Sequence, residues 1–354
     1  MNQALAALRH RYDHRFPVES GSRQVIGYVG QDVPVELITA SGAWPVRLAG
    51  RPGQDTSAGD KYLGRGLDEV TRSILTRLLA GEYGRLDGLL ISRDCEGSLR
   101  LFYALRELSR VDPRPGLPEV YLVDLLHLPH RSTTRYNLVR VAQLRDRLGL
   151  WTGGEITGER IAAAIALHDK NRSLLAEIRS LRSRSRLSGR DALAVYGAGT
   201  VLPVEEHNTL LRELLEAELP PHEGTRMFLT GSSHDSPEVY DELEAGGALI
   251  VGEDHDWGDL LTLRRVGAPT ITALAERYQY NGPTAQRSSI MDRAATTAEL
   301  AAACRADVVV GYFRQLDDAP PWDFPAQRDA LHVIGIKAVA LEHQAYGAVT
   351  EVRV

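Results

Sequence analysis

Short apolar runs alternate with stretches of helical period along most of this chain, and each run stops at a cluster of polar residues. The clearest case is Leu86–Arg100. Gly88 to Ser92 has the length and apolarity of a buried strand, the turn Arg93-Asp94-Cys95-Glu96-Gly97 follows, and Leu99, Phe102, Leu105 and Leu108 then recur at three-residue steps from a helix start near Ser98. The same alternation predicts strands at Arg23–Val29, Val46–Leu48 and Glu119–Val123. Helices are predicted over 2–16, closed by Pro17, and over 67–79. Another opens at Pro34, with Glu36 in its first turn and Gly42 as its stop. Gly50 to Gly66, rich in Gly, Asp and Ser, reads as a long loop.

From Thr134 to Glu218 three amphipathic helical segments follow one another. Arg172, Arg179, Arg182, Arg184, Arg186 and Arg190 lie on or near the second; a solvated face is the default account, an anion-binding surface the lesser one. Strands are predicted again at 226–230, 248–251, 307–311 and 337–341, with helices at 237–245, 269–278, 288–304 and 324–334. Strand–helix alternation implies parallel sheets covered on both faces. The expected organisation is an N-terminal helix (1–22), a first α/β lobe (23–133), a helical middle segment (134–220) and a second α/β lobe (221–354). A cleft between two such lobes is the default place for a small-molecule site.

Composition narrows the class. The 354 residues are 43% hydrophobic and 25% charged, with a formal net charge of −6. These values fit a globular protein and argue against nucleic acid as partner. No run reaches the roughly 18 apolar residues of a membrane span, and the charged amphipathic start lacks the apolar core of a secretion signal. Two cysteines cannot build a disulfide framework, so a reducing, cytoplasmic setting is expected.

The strand-end turns hold the candidate chemistry. Cys95 sits between a strand and its helix, at the sheet edge where open α/β sheets bind ligands. Free N–H groups at the helix start favour an anion there, a thiolate included; an inert buried thiol is the alternative. Other turns carry His127 and His130, His234 and Asp235, Glu253 to Asp256, and Asp317 with Asp318. A mononuclear site of mixed S, N and O ligands is chemically feasible, but no CxxC or HxxxH spacing is present, and acidic turns capping helices explain most of the pattern. YGAGTVLP at 196–203 lacks the third glycine and the preceding strand of a dinucleotide loop. Glu205, Glu206 and His207 suit a helix start, Ser232 and Ser233 form no G-x-S-x-G elbow, and Cys304 reads as a small apolar residue of a helix.

Taken in order, several stretches resemble the 2-hydroxyacyl-CoA dehydratase / benzoyl-CoA reductase family, over roughly Val25 to Glu342. GYVGQDVPVELITASGAWPVRL resembles the family's opening, with its P-x-E-L helix and A-x-G-x-x-P-x-R turn. GEYGRLDGLLISRDCEGSLRLF resembles the segment ending in a cluster-ligating Cys, and GEITGERIAAAIALHDKNRSLLAEIRSLR the N-x-x-R helix of the middle region. MFLTGSSHDSPEVYDELEAGGALIVGEDHDWG, ADVVVGYFRQLD and IGIKAVALEHQ resemble the start and last strands of the second lobe.

The resemblance implies two Rossmann-like or flavodoxin-like lobes with an iron–sulfur cluster and an acyl-CoA thioester between them. It also implies paired subunits served by a separate ATP-driven electron donor, so a homologous partner subunit or a homodimer is expected. In such chemistry, one-electron reduction of the thioester carbonyl lets a 2-hydroxyacyl group expel hydroxide and acidifies its carbon-3 proton. The departures from the family pattern are specific. Three cysteines usually hold the cluster, and here only Cys95 stands at such a position. Asp68 lies near the first slot, Leu316 or Asp317 at the last, Asp256 replaces a Cys near EDHDWG, and Thr284 one after Pro283.

Candidate catalytic residues are therefore Cys95, Gln31, Glu36, His234 and His255, each on or just after a strand-end turn and expected at the groove between lobes; Glu36 has the alternative of capping its helix. Cys95, Asp68, Asp256 and Asp317 are the candidate metal ligands. The chain alone is expected not to hold a conventional [4Fe–4S] cluster, because hard aspartates replace soft thiolates; another metal stays open. Three functions remain in view: a subunit acting on an acyl-CoA or related thioester, a cluster-less partner subunit, and an enzyme of different chemistry with a metal at Cys95.

Overall fold

Four parallel strands make the first sheet in the computed structural model, which describes residues 2–280, 282–285 and 287–350. They are β1 (Val25–Val29), β2 (Trp44–Arg47), β3 (Gly88–Ser92) and β4 (Val120–Val123). Their order is β2-β1-β3-β4, with Ile26 beside Gly88 and Gly27 beside Val46. Every residue of β3 is buried, as an apolar run covered on both faces requires. α1 (Gln3–Asp13) precedes the sheet, and α2 (Val35–Ser41) links β1 to β2, ending on Gly42 at φ +90°. α3 (Ser57–Leu63) and α4 (Glu69–Leu79) lead into β3, and α5 (Glu96–Val111) leads from it to β4.

The middle of the chain folds as α6 (Arg131–Thr152), α7 (Gly158–Ser183), α8 (Gly189–Ala198) and α9 (Val204–Leu215). A second parallel sheet holds β5 (Thr225–Gly231), β6 (Ala248–Glu253), β7 (Val308–Arg314) and β8 (Lys337–Gln344), in the order β6-β5-β7-β8. Around it lie α10 (Glu238–Ala245), α11 (Ile271–Gln279), α12 (Ile290–Ala303) and α13 (Ala319–Val333). The two sheets repeat one winding. In each, the direction of strand succession reverses beside the first strand, which puts a topological switch point between β1 and β3 and another between β5 and β7. The expected α/β architecture of two parallel-sheet lobes is the one observed.

Several local expectations are corrected. The stretch 50–66 is not all loop, because α3 forms within it. Its cause is tertiary rather than periodic: Arg72 of α4 donates to Asp60 Oδ1 at 2.9 Å and to Thr56 Oγ1 at 3.0 Å, and Gly59 lies so close that a Cβ would stand 2.4 Å from the Arg72 carbonyl oxygen. α13 begins at Ala319 rather than 324, because Pro320 and Pro321 fall in its first turn, where no N–H is needed. The glycines of YGAG sit at the end of α8 and admit close packing. A Cβ on Gly197 would lie 2.3 Å from the Tyr12 ring of α1, and one on Gly199 2.3 Å from the His207 ring of α9.

The arginines of α7 are the largest correction. Arg172 and Arg182 are not on a solvated face; they are 6% and 0% exposed. Arg172 pairs with Glu36 of α2 in the first lobe, and Arg182 with Glu253 of β6 in the second. One helix thus ties both lobes through buried ion pairs. α11 follows β6 in sequence yet packs with the first lobe, where Leu274 and Tyr278 join Leu37, Ile38 and Leu144 in one apolar cluster. Full burial of each such side chain stabilises by about 1.5–3 kcal/mol, so the lobes do not part freely.

Candidate functional site

Both switch points open onto one groove between the lobes, with a cavity of about 400 Å³. β1 delivers Gly30 and Gln31 to it, and β3 delivers Asp94 and Cys95. From the second lobe, β5 delivers Ser233, β6 delivers His255 and Asp256, and β7 delivers Arg314 and Asp317. Sequence reasoning placed the site at these turns, and Cys95, Gln31, His255, Asp68, Asp256 and Asp317 all line the cavity.

Cys95 is the N-cap of α5: its Sγ accepts from Ser98 N–H at 3.3 Å and lies 3.2 Å from Ser98 Oγ. A helix start should favour the thiolate. Burial outweighs that effect, and the neighbouring Asp94 adds to it, so the thiol pKa rises and Cys95 stays protonated at neutral pH. Asp94 itself is pushed up to about 6, by burial first and by the charge of Asp32 second. Its Oδ2 accepts from Gln31 N–H at 2.7 Å, and its Oδ1 has no partner among the described residues. Gly30 makes this approach possible. It sits at φ +89°, and a Cβ there would lie 2.4 Å from Asp94 Oδ2.

The carboxylates read as metal ligands are engaged otherwise. Arg314 donates to Asp68 through Nε at 3.2 Å and through a terminal nitrogen at 2.9 Å, and that same terminal nitrogen lies 3.4 Å from Asp317 Oδ2. Arg47 donates to the Asp256 carbonyl at 2.6 Å and pairs with its carboxylate, while stacking 4.1 Å from the Trp257 ring centre. Ser233 Oγ also donates to Asp256. Burial pulls the other way, but Arg47 and Ser233 hold Asp256 below the usual carboxylate range. No cluster of three or more His, Cys, Asp or Glu suited to a metal ion occurs among the described residues. The donor set, one thiol beside aspartates held by arginines, does not fit a thiolate-ligated iron–sulfur cluster in this chain alone.

The remaining candidates separate. His255 lines the groove; its Nδ1 accepts from Trp257 N–H at 3.3 Å, and its Nε2 lies 2.9 Å from Tyr240 Oη. His234 turns inward, 4% exposed, with its ring edge-on to Tyr312 at 4.7 Å and to His255 at 5.2 Å. Burial drives its pKa well below the ordinary histidine value. Glu36 is 0% exposed and away from the groove. It accepts from Arg172 and, at 2.9 Å, from the Tyr278 hydroxyl. Burial alone would raise its pKa; Arg172 overrides that and holds it at about 2. The structure therefore does not bring Glu36 or His234 to the groove. Arg314 and Arg47 are the prominent groove residues that the sequence reading gave no role; Asp94 entered it only as one of the candidate ligands of its turn, with Cys95 and Glu96. Arg47 was visible as the arginine of the A-x-G-x-x-P-x-R turn, and Arg314 as a basic end to an apolar run.

A second, smaller cavity of about 100 Å³ lies between β2, α7, α8 and α11 and shares Gly30, Gln31 and Arg47 with the groove. Among the described residues, no helix is long and apolar enough to cross a membrane.

The family model described as 2-hydroxyglutaryl-CoA dehydratase, D-component, matches residues 31–348. A benzoyl-CoA reductase subunit from Thauera aromatica is 28% identical over 249 residues, which are 66% of this chain and 62% of that protein. The (R)-phenyllactyl-CoA dehydratase beta subunit of Clostridium sporogenes is 23% identical over 336 residues, 92% of this chain and 87% of that protein. The beta subunit of (R)-2-hydroxyglutaryl-CoA dehydratase of Acidaminococcus fermentans is 21% identical over 245 residues, with 62% of its length spanned.

Proposed function

This chain belongs to the 2-hydroxyglutaryl-CoA dehydratase D-component family, and from that membership we propose that it is an enzyme subunit acting on an acyl-CoA thioester together with a partner subunit. The observation that carries the reading is the groove itself, set at two facing switch points and sharing lining residues with a second cavity. Relatives named as subunits of acyl-CoA enzymes support the partner. Gln31 and Asp94 are the groups this chain offers a thioester. The Gln31 amide, now 3.3 Å from Thr284 Oγ1, can turn a donor to a carbonyl oxygen. Asp94, with a pKa of about 6, can hold or accept a proton near neutral pH. A cluster would have to be held by the partner, since Cys95 is the one soft donor of this groove among the described residues.

A cluster-less partner subunit without turnover is the second reading, favoured by the Asp68–Arg314 and Arg47–Asp256 pairs at the positions expected to hold ligands. Anaerobic purification of the chain, alone and with co-purifying protein, tests both, with iron and sulfide assay and calorimetric titration of acyl-CoA esters. Acyl-CoA binding with iron far below four per chain supports the proposal. About four irons and four sulfides on the isolated chain, lost in Cys95→Ala, overturns the cluster statement. No binding of any CoA thioester overturns the substrate statement.

A further inference from the structure

Fourteen large hydrophobic side chains are exposed among the described residues, and nine of them fall in one band from the β4–α6 turn to the starts of α12 and α13. Leu126, Leu128, Tyr136 and Val139 make its first-lobe end, on that turn and the first turns of α6. Ile290 and Met291 of α12, with Leu316 and Trp322 around the start of α13, make its second-lobe end. Tyr280, just past α11, lies between them. Hydrogen bonds join the pieces. Gln279 Nε2 donates to the Leu128 carbonyl at 2.9 Å, and the Gln279 carbonyl lies 3.1 Å from His127 Nδ1. Asp32 binds both His127, at 2.9 Å, and Arg287, at 3.0 Å. Ile290 is three residues past Arg287, a reach of roughly 11 Å at most. Arg293 Nε donates to Asp323 at 3.3 Å and sets the first turn of α12 against that of α13. Trp322 is 76% exposed, Met291 72% and Leu128 61%. A monomer scatters such side chains singly, whereas a contiguous band marks an interaction surface.

The two ends of the band differ in charge. Residues 126–140 hold Arg131, Arg135 and Arg140 and no Asp or Glu. Arg131 and Arg135 are exposed, one helical turn apart, and in no ion pair among the described residues. Residues 288–292 and 315–323 hold four aspartates and no Lys or Arg. Of these, Asp292 and Asp318 are exposed and in no ion pair among the described residues. An apolar band with one basic and one acidic end complements its own copy turned end for end. A two-fold pair lays each end of one chain on the opposite end of the other, so both contacts match at once. We infer that the chain pairs with a second copy of itself through this band, Arg131 and Arg135 of each chain facing Asp292 and Asp318 of the other. Trp322 and Leu128 are its apolar anchors. Leu316 also lines the groove, so the second copy sits at the groove's mouth. The inference goes beyond the acyl-CoA reading and does not depend on it.

The test is sedimentation velocity on the full chain purified alone, across micromolar concentrations. The expected species is a dimer. Trp322→Glu and Leu128→Glu are each expected to weaken its dissociation constant roughly thirtyfold or more, the loss typical of an interface anchor. Both side chains are exposed, so far-UV circular dichroism should match the wild type and show that the variants fold. Charge reversal tests the pairing geometry. R131E/R135E and D292K/D318K should each be monomeric alone. An equimolar mixture of the two should recover the dimer, because opposite charges then meet at both ends. A wild-type chain that stays monomeric, a dimer that survives both W322E and L128E, or a charge-reversed mixture that stays monomeric overturns the inference. A monomeric wild type that captures a different co-purifying subunit, and loses it in W322E, gives the band to that subunit and overturns the second copy.

Discussion

Replacing Glu36 by glutamine separates a catalytic carboxylate from one that holds the fold together. Glu36→Gln keeps the shape and the acceptor for Tyr278 but removes the charge facing Arg172, which is itself 6% exposed. Among the described residues, Arg172 would keep the ion pair with Asp169 alone, at 3.0 Å. The carboxylate sits at about 2 against an ordinary 4.5. At about 1.4 kcal/mol per pKa unit, that shift corresponds to about 3 kcal/mol of stability at neutral pH. The figure falls at the lower edge of the roughly 3–5 kcal/mol seen when a buried pair loses one partner. The sign follows from the depressed pKa. The stabilisation is fully present above about 4.5 and is lost as pH falls toward about 2. Urea unfolding of wild type and E36Q at pH 7 and near pH 3 measures it. The expected result is a deficit of about 3 kcal/mol at pH 7 that narrows in acid. A deficit under about 1 kcal/mol, or one constant across that range, refutes the structural reading and returns Glu36 to the candidate catalytic residues.

Asp94 behaves in the opposite sense: its raised folded pKa means that it loses stability as pH climbs from about 4 to about 6. Asp94→Asn should therefore unfold at higher urea than wild type at pH 8, by about 1–3 kcal/mol, and show no advantage at pH 4; equal stability at pH 8 contradicts this account of the groove. A double-mutant cycle on Asp68→Asn and Arg314→Met, read by thermal or urea unfolding, should give a coupling of about 1–3 kcal/mol across the lobes, and additivity of the single changes removes the staple from the picture. Gly30→Ala forces a Cβ to 2.4 Å from Asp94 Oδ2 at φ +89°; a loss of about 2–3 kcal/mol is expected by the same assay, whereas a neutral change shows that the turn relaxes freely.

The strands were legible because parallel strands buried on both faces read as unbroken apolar runs, and β3 was found to the residue, Gly88–Ser92. Helices with an apolar stripe were found to within a few residues. α3 was hidden because Gly59, Asp60 and Thr56 make its contacts with α4 through polar atoms and a missing Cβ, which leave no hydrophobic period. α11 was found, but its packing against the first lobe is a tertiary fact that no local pattern encodes. The site was legible at the level of turns and not of side chains. A strand-end turn locates a residue at the sheet edge, but whether its side chain faces the groove depends on φ/ψ and on partners elsewhere. His234 turned in toward Tyr312, and Glu36 was claimed by an arginine 136 positions later in the chain. The arginine run of α7 misled for the same reason, since helical period does not show which arginines meet a buried acid.

The pairs at the groove engage Asp68 and Asp256, two of the positions where the family resemblance implies cluster cysteines. The exchange is reciprocal: the first lobe gives Asp68 to Arg314 of the second, and the second gives Asp256 to Arg47 of the first. Each lobe therefore contributes one acid and one base, so that Asp68 and Asp256 each meet an arginine from across the cleft, while Asp317 shares Arg314 with Asp68. An aspartate serving a metal needs free lone pairs, whereas Asp68 takes two nitrogens of the Arg314 guanidinium, and the Asp256 carboxylate takes one nitrogen of Arg47 and the Ser233 hydroxyl. Removing a metal in solution would leave such pairs intact, and adding one would have to break them. Cys95 stands apart from both pairs, capped by Ser98 and kept protonated by burial. What the groove leaves uncommitted is the Oδ1 of Asp94, beside a Gln31 amide whose side-chain contact is a 3.3 Å bond to Thr284 Oγ1.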